Sequence, residues 1–258
     1  MRPGDVAGPP PGPPLVVVLV EPSGALNVGS VARLCANYGV ERLRLVAPRC
    51  DPLGEEARRM AVRGVGVLER AALFHDLASA LSDCHRVVAT SGRREGVPLE
   101  LQDDRSCLAW LSAGPTGQPV ALVFGREDRG LSNDELLQAG RLLNLPTASA
   151  YTSLNLSHAV AIALHAWHRE VRQERPPSEP AENGAEPCRR GELEALLDDA
   201  EALLLEVGFL YPHTAAARMA KVRALLQRGA VRGSEVALLR GMVRQLRWAS
   251  HQGANPAG

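Results

Sequence analysis

Four short segments hold the residues of this chain whose types and spacing suit chemistry. They are "EPSGALNVGSVAR" (21–33), "TSGRREG" (90–96), "FGREDRGL" (124–131) and "LPTASAYTSLNLSHA" (145–159). In the third, an apolar Phe124 followed by Gly125 lets a flat ligand approach the backbone closely. In the first, a short helical pattern opens on Asn-x-Gly and carries one arginine, Arg33, among small apolar residues. Each residue alone has an ordinary structural reading. Asn27 is a good N-cap and Gly39 a good C′ residue, so "NVGSVARLCANYG" is also a well-bounded core helix. Ser153, Asn155 and Ser157 suit the capped start of a helix, and Arg126 with Glu127 suits a surface ion pair of little energetic weight.

These segments follow short β-branched runs. "LVVVLV" (15–20), "RLRLVA" (42–47), "RVVATS" (86–91) and "PVALVFG" (119–125) read as strands buried on both faces, with helical stretches at 28–38, 55–62, 74–82 and 104–112 between them. That alternation predicts an α/β domain with a mostly parallel sheet, whose chemistry gathers at the carboxyl ends of the strands. "LSNDELLQAG" predicts a short helix with Ser132 and Glu135 in capping-box register and Gly140 at its end. "RLLNLP" follows as a fifth strand stopped by Pro146, and then a long helix from about Leu154 to Val171. Residues 172–191 combine prolines and charges with almost no apolar residues, which predicts a flexible linker. Beyond it, periodicity predicts three helices within 192–250, the first stopped by Gly208 and the last capped by Ser234.

The totals exclude several classes. Apolar residues make up 45% of the 258-residue chain, enough for a large core, and Lys+Arg balance Asp+Glu at 29 each. No global charge therefore advertises a nucleic acid. The five cysteines are odd in number and contain no C-x-x-C, against a disulfide framework or zinc site and in favour of a reducing, cytoplasmic setting. His158 and His165 lie seven apart without a carboxylate at ligand spacing, so no metal is expected. No P-loop is present, and "GVGVLE" (64–69) lacks the third glycine of a dinucleotide fingerprint. The proline-rich residues 1–14 read as a disordered start. The run at 15–20 is too short to span a bilayer, so no membrane association is expected.

Taken together and in order, "NVGSVARLCANYG", "LVFGREDRGLS" and "LPTASAYTSLNLSHAVAIALH" resemble the three motifs of the SpoU branch of the SPOUT RNA ribose methyltransferases. The helices containing "LLLEVGFLYPH", "AARMAKVRALLQR" and "EVALLRGMVRQLRWA" are similar to the C-terminal region of TrmJ-type tRNA methyltransferases. The resemblance implies a SPOUT domain over 15–171 with a C-terminal trefoil knot, a linker at 172–191, a three-helix extension at 192–250 and a tail at 251–258. It implies S-adenosyl-L-methionine as cofactor, a homodimer that completes each site, and tRNA as substrate, methylated on the ribose of an anticodon-loop cytidine or uridine at position 32. An rRNA 2′-O-methyltransferase of the same superfamily and a catalytically silent RNA-binding protein are the alternatives. The motif residues fall on Asn27, Arg33, Glu127, Ser153 and Asn155. The cofactor loops fall on Thr90, Ser91, Gly92, Gly125, Leu145, Pro146, Thr152, Ser153 and Leu154. "CANYG" stands where the family usually has a lysine, and residues 1–14 lie outside its pattern.

Methyl transfer from a sulfonium to a ribose hydroxyl requires no metal and no acid for the leaving thioether. The weakly acidic hydroxyl must instead be positioned and helped to lose its proton. A guanidinium is always protonated and cannot be the base, so Arg33 is expected to clamp a phosphate or stabilise developing alkoxide charge. Glu127 is expected to pair with an arginine, orienting that guanidinium or holding the loop of the second motif, and Asn27 and Gly29 to shape the turn before the helix. Ser153 and Asn155 are expected to fix the cofactor loop and the ribose edge by neutral hydrogen bonds.

Overall fold

The computed structural model describes residues 12–92, 97–148, 150, 153–172, 188–229 and 231–253. Most of the proline-rich start, most of the expected linker, and Thr152 lie outside them.

The run Leu15–Val20 forms β1, buried along its whole length because it has neighbours on both sides and helices on both faces. It pairs in parallel with β2 (Arg42–Val46) and β6 (Val120–Phe124). With β3 (Ala72–Phe74), β4 (Arg86–Thr90), β5 (Leu101–Gln102) and β7 (Arg141–Leu143) they make a seven-stranded sheet in the order β3-β2-β1-β6-β4-β7-β5. Every pairing is parallel. The two strands not expected from the sequence, β3 and β5, are the edges. Edge strands of three and two residues are too short to show a pattern.

Side-chain alternation along β1 sends Val17 and Leu19 to one core and Val16, Val18 and Val20 to the other. The first core is closed by α1 (Ala25–Asn37), α2 (Glu55–Ala61), α3 (Val65–Glu69), α5 (Asp104–Ser112) and α7 (Leu156–Arg172). The second is closed by α4 (Leu77–Leu81) and α6 (Asn133–Leu136). Within α6 the expected capping box is present: Ser132 Oγ accepts from Glu135 N at 3.2 Å, and the Glu135 carboxylate accepts from Ser132 N at 2.7 Å. Gly29 is buried on α1, and a Cβ there would lie 2.2 Å from Ala57 O. Its role is therefore to let α2 approach, not to shape a turn.

The extension consists of α8 (Arg190–Glu206), α9 (Pro212–Arg228) and α10 (Gly233–Gly253) around a small core of its own. Gly208 takes φ +76°, as a left-handed C-terminal glycine should. Ser234 does not cap α10. The helix begins one residue earlier, Arg232 O accepts from Val236 N, and the Glu235 carboxylate accepts from Arg232 N at 2.8 Å. The start of α8 docks on the α/β domain, where Arg190 N and Gly191 N donate to Cys84 O and Ser82 O, each at 3.0 Å. The buried Arg190 guanidinium and the Gln227 amide both donate to Leu137 O, at 3.1 and 2.8 Å. No helix among the described residues is long and apolar enough to cross a membrane.

Candidate active site

A cavity of about 430 Å³ opens at the carboxyl ends of β4, β6 and β7. Thr90, Ser91 and Gly92 line it from β4, Gly125 and Glu127 from β6, Leu145 from β7, and Ser153 and Leu154 from the segment entering α7. Eight residues singled out from sequence thus share one wall. Pro146 instead lines the neighbouring groove beside β5, while Asn27, Arg33 and Asn155 stand outside the cavity wall. Phe124, Leu131, Leu143 and Leu156 supply much of its apolar surface. The Thr90 hydroxyl donates to Val123 O at 3.1 Å, so it ties β4 to β6 as well as facing the cavity.

The loop after β6 is held shut on itself. Arg126 N donates to Gly130 O at 3.3 Å and Gly130 N to Arg126 O at 3.0 Å, with Gly130 at φ +68°. A Cβ on Gly125 would meet the Gly130 carbonyl carbon at 2.3 Å, so only glycine fits. Arg126 and Glu127 do not pair with each other. The Arg126 guanidinium, buried to 9% exposure, forks onto both Glu135 oxygens at 2.8 Å and onto Glu21. Hydrogen bonding from Arg126 is the largest influence on Glu21 and lowers its pKa from 4.5 to about 2. Glu21 itself sits at φ +45°, an uncommon conformation for a non-glycine residue at the end of β1.

Glu127 reaches across to the start of α1. Its carboxylate accepts from Ser23 N and Gly24 N at 3.1 Å, from Ser23 Oγ at 3.1 Å and from Asn27 Nδ2 at 3.2 Å. Burial alone would raise its pKa, but donation from Ser23, Asn27 and Gly24 outweighs burial and leaves the carboxyl below its ordinary value. The expected Asn27 cap is therefore corrected. Gly24 is the N-cap, Asn27 lies in the first turn, and a carboxylate from the loop after β6 accepts from the N–H groups of Ser23 and Gly24 at the entry to the helix. The expected arginine partner of Glu127 is corrected with it.

Asn27 Oδ1 in turn accepts from Asn155 Nδ2 at 3.2 Å. Asn155 Oδ1 accepts from Ser157 N at 2.9 Å, Ser157 Oγ at 2.7 Å and His158 N at 3.4 Å, capping α7. The structural reading of Asn155 as a cap holds, and the same side chain is bonded to Asn27. All three motifs are joined in one chain of hydrogen bonds. Arg33 lies apart from it, exposed on α1, with no hydrogen bond or ion pair to any described residue. The helix behind it is fixed, since a Cβ on Gly64 would lie 2.7 Å from the Arg33 Cα.

The Glu21–Arg126–Glu135 cluster escaped the sequence reading, which gave Arg126 to Glu127 and Glu135 only to its capping box. Its signal was the position of Glu21 directly after β1, but the partner of Arg126 could not be read from spacing. Among the described residues no group of three His, Cys, Asp or Glu could hold a metal.

Comparison with known proteins accounts for both parts of the chain. Residues 14–165 match the SpoU rRNA methylase family, and residues 191–256 match the C-terminal domain of the tRNA methyltransferase TrmJ. The tRNA (cytidine/uridine-2′-O-)-methyltransferase TrmJ of Klebsiella pneumoniae is 36% identical over 234 residues, covering 89% of this chain and 95% of that protein. The tRNA (cytidine/uridine/adenosine-2′-O-)-methyltransferase TrmJ of Pseudomonas aeruginosa is 34% identical over 238 residues, covering 89% and 92%. The crystal structure of TrmJ from Z. mobilis ZM4 superimposes with a TM-score of 0.78 at 29% identity, covering 90% and 98%. With the motif order, the parallel sheet and the helical extension all accounted for over nearly its full length, the chain belongs to the SpoU methylase family, within its TrmJ group.

Proposed function

We propose that this protein transfers a methyl group from S-adenosyl-L-methionine to the ribose 2′-hydroxyl of a tRNA nucleotide, a cytidine or uridine at position 32 of the anticodon loop. The observation that carries the reading is the convergence of the segments after β4, β6 and β7 on one cavity, with the start of α1 tied beside it by the Glu127–Asn27–Asn155 hydrogen bonds. The TrmJ relatives, named for this reaction on tRNA, support it.

The cavity suits the cofactor. Its volume falls within the usual range for small-molecule sites, and Phe124, Leu143 and Leu145 offer an apolar wall to an adenine ring. Gly92 has open space where a Cβ would stand, and Ser91 and Ser153 bring hydroxyls to the same wall. These residues, with Thr90, Gly125, Leu154 and the neighbouring Pro146, would hold it; Thr152 belongs to the same set by family resemblance. When bound, S-adenosyl-L-methionine supplies an electrophilic methyl group on sulfur.

The protein's own residues then have two tasks. Glu127, Asn27 and Asn155 lock the loop after β6, the start of α1 and the start of α7 into one geometry, as transfer over about 3 to 3.5 Å requires. Arg33 clamps an RNA phosphate and stabilises negative charge as the hydroxyl loses its proton. Because Arg33 stands outside the cavity of its own chain, the site is completed in a homodimer by the Arg33 of a second copy. The apolar face of α7 does not itself demand that dimer: Val160, Ala163, Leu164 and Trp167 are buried within the chain. Leu26 and Ile162, 43% and 44% exposed on the packed pair α1 and α7, are the apolar residues left for it. We also infer that the segment from β7 to α7 is threaded as a trefoil knot, since β7 lies between β4 and β5 and α7 then returns to pack on α1 and α5. This activity belongs in the cytoplasm with tRNA.

The test is methyl transfer from isotopically labelled S-adenosyl-L-methionine to a tRNA transcript, with the modified ribose located by its resistance to alkaline cleavage. Label at the expected loop nucleotide, absent when that nucleotide is 2′-deoxy, supports the proposal. Label in rRNA alone replaces tRNA by rRNA. Failure of the protein and the protein–RNA mixture to bind S-adenosyl-L-methionine in calorimetry removes the enzymatic reading.

A further inference from the structure

Aromatic residues are only 3% of this chain, yet two of them stand exposed in the five residues that join α8 to α9. Phe209 is 62% exposed and Tyr211 55%, while Leu210 between them is buried in the core of the extension. An exposed Phe and Tyr on a surface turn forfeit the burial that usually places such residues. Here the backbone of the turn is hydrogen-bonded to the end of α8. Gly208 N donates to Leu205 O at 3.2 Å, Leu210 N to Leu204 O at 2.9 Å, and Pro212 starts α9 at once. The Tyr211 ring stacks on His213 with centroids 5.9 Å apart and an interplanar angle of 22°, and the Arg218 guanidinium lies over the Phe209 ring at 6.0 Å.

The charge that follows this turn is mostly of one sign, although carboxylates of α8 pair with Arg223, Arg240 and Arg247. From Val207 to Gly258 the sequence contains eight Lys and Arg against a single carboxylate, Glu235, although the whole chain is neutral. The preceding carboxylate, Glu206, is engaged by Arg247 and His251. A preformed aromatic surface with a guanidinium on one ring and a cationic surround is the composition that receives unpaired nucleotides. Bases stack on the rings and phosphates meet the cations.

We propose that Phe209 and Tyr211, with His213 stacked on Tyr211, form a base-stacking platform for unpaired nucleotides of the RNA substrate. The proposal deepens the tRNA reading above and rests on it: the extension not only attracts RNA by charge but selects loops whose bases are free to stack.

The experiment measures binding of full-length tRNA transcript, and of an RNA stem-loop carrying 2-aminopurine in its loop, to wild type, Tyr211→Ala, Tyr211→Phe, Phe209→Ala, Phe209→Leu and the Phe209→Ala, Tyr211→Ala double variant. Both positions are exposed, so the melting curve and S-adenosyl-L-methionine affinity should stay as in wild type. Each alanine variant should lose about ten-fold in RNA affinity with an unchanged salt slope, because a ring and not a charge has been removed. Phe209→Leu should lose as much as Phe209→Ala, Tyr211→Phe should retain binding, and the quenching of 2-aminopurine on binding should disappear in the double alanine variant. Wild-type RNA binding with unchanged variants overturns the platform and leaves the tRNA reading standing. A change in oligomeric mass without a change in RNA affinity also overturns it, assigning the rings to contacts between copies. Wild type that binds no tRNA overturns both readings.

Discussion

Asn155, on the segment entering α7, donates its side-chain amide to Asn27 Oδ1 on α1 at 3.2 Å, joining residues 128 positions apart. Each amide uses both of its ends. Asn27 also donates to Glu127, and Asn155 also caps α7, so a group that only accepts or only donates keeps one of the two contacts and loses the other.

That double use separates two substitutions. Asn155→Asp keeps an oxygen for the N–H groups of Ser157 and His158 and should retain most thermal stability, whereas Asn155→Ala loses the cap and about 1 kcal/mol. Asn27→Asp removes the donor facing Glu127 and places a second carboxylate there, so it should destabilise more than Asn27→Ala. Thermal melts of the four variants check the order. Equal melting of Asn27→Asp and Asn27→Ala would contradict the hydrogen-bond orientation described above.

Arg33→Ala should leave melting, mass and S-adenosyl-L-methionine affinity unchanged, since the side chain is exposed and has no partner among the described residues. Under the proposed function it should lower methyl transfer on the order of 10²- to 10³-fold. Arg33→Lys should recover little, because an ammonium does not reproduce the planar fork. Single-turnover transfer to tRNA measures this. A near wild-type rate would return Arg33 to an ordinary surface residue.

Acid stability should depend on Glu21. Its folded pKa, about 2, lies below the unfolded value of 4.5, so its ionised form adds stability that is fully present above pH 4.5 and is lost as pH falls toward 2. Glu127 and Glu135, also lowered, act in the same direction. Glu21→Gln should therefore unfold at lower denaturant than wild type at pH 7, with the gap closing as the pH drops through that window. Urea melts at successive pH values give the comparison, and a gap independent of pH would refute it.

Arg190→Ala should loosen the extension. Only 7% of this arginine is exposed, and it bridges Glu194 on α8 at 3.0 Å and Leu137 O on the α/β domain. Removing one member of a buried charged pair costs about 3 kcal/mol or more; here Arg223 still neutralises Glu194, which holds the loss to the lower end. Calorimetry should show an earlier transition for the extension, while S-adenosyl-L-methionine binding persists. A single unshifted transition would mean that the docking contacts contribute nothing.

The amino-acid sequence by itself determined the central strands and the helices that repeat over several turns. "LVVVLV" and "PVALVFG" are apolar at every position, which only a strand covered on both faces tolerates. The Ser132–Glu135 box and the stop at Gly208 were legible for a related reason: their partners lie within a few residues, where spacing fixes geometry. Family motifs carried Thr90, Gly125 and Ser153 to one cavity wall before any contact was known. The tertiary structure alone decided which groups meet across the sheet. Parallel pairing of β1 with β6 sets Leu19 beside Phe124, and this register brings Ser23 and Gly24 to Glu127 and Glu21 to Arg126. Asn27 thereby ceases to be a cap, and Arg126 and Glu127, neighbours in sequence, take different partners. Register between strands a hundred residues apart follows from packing of the whole core, and no local spacing encodes it.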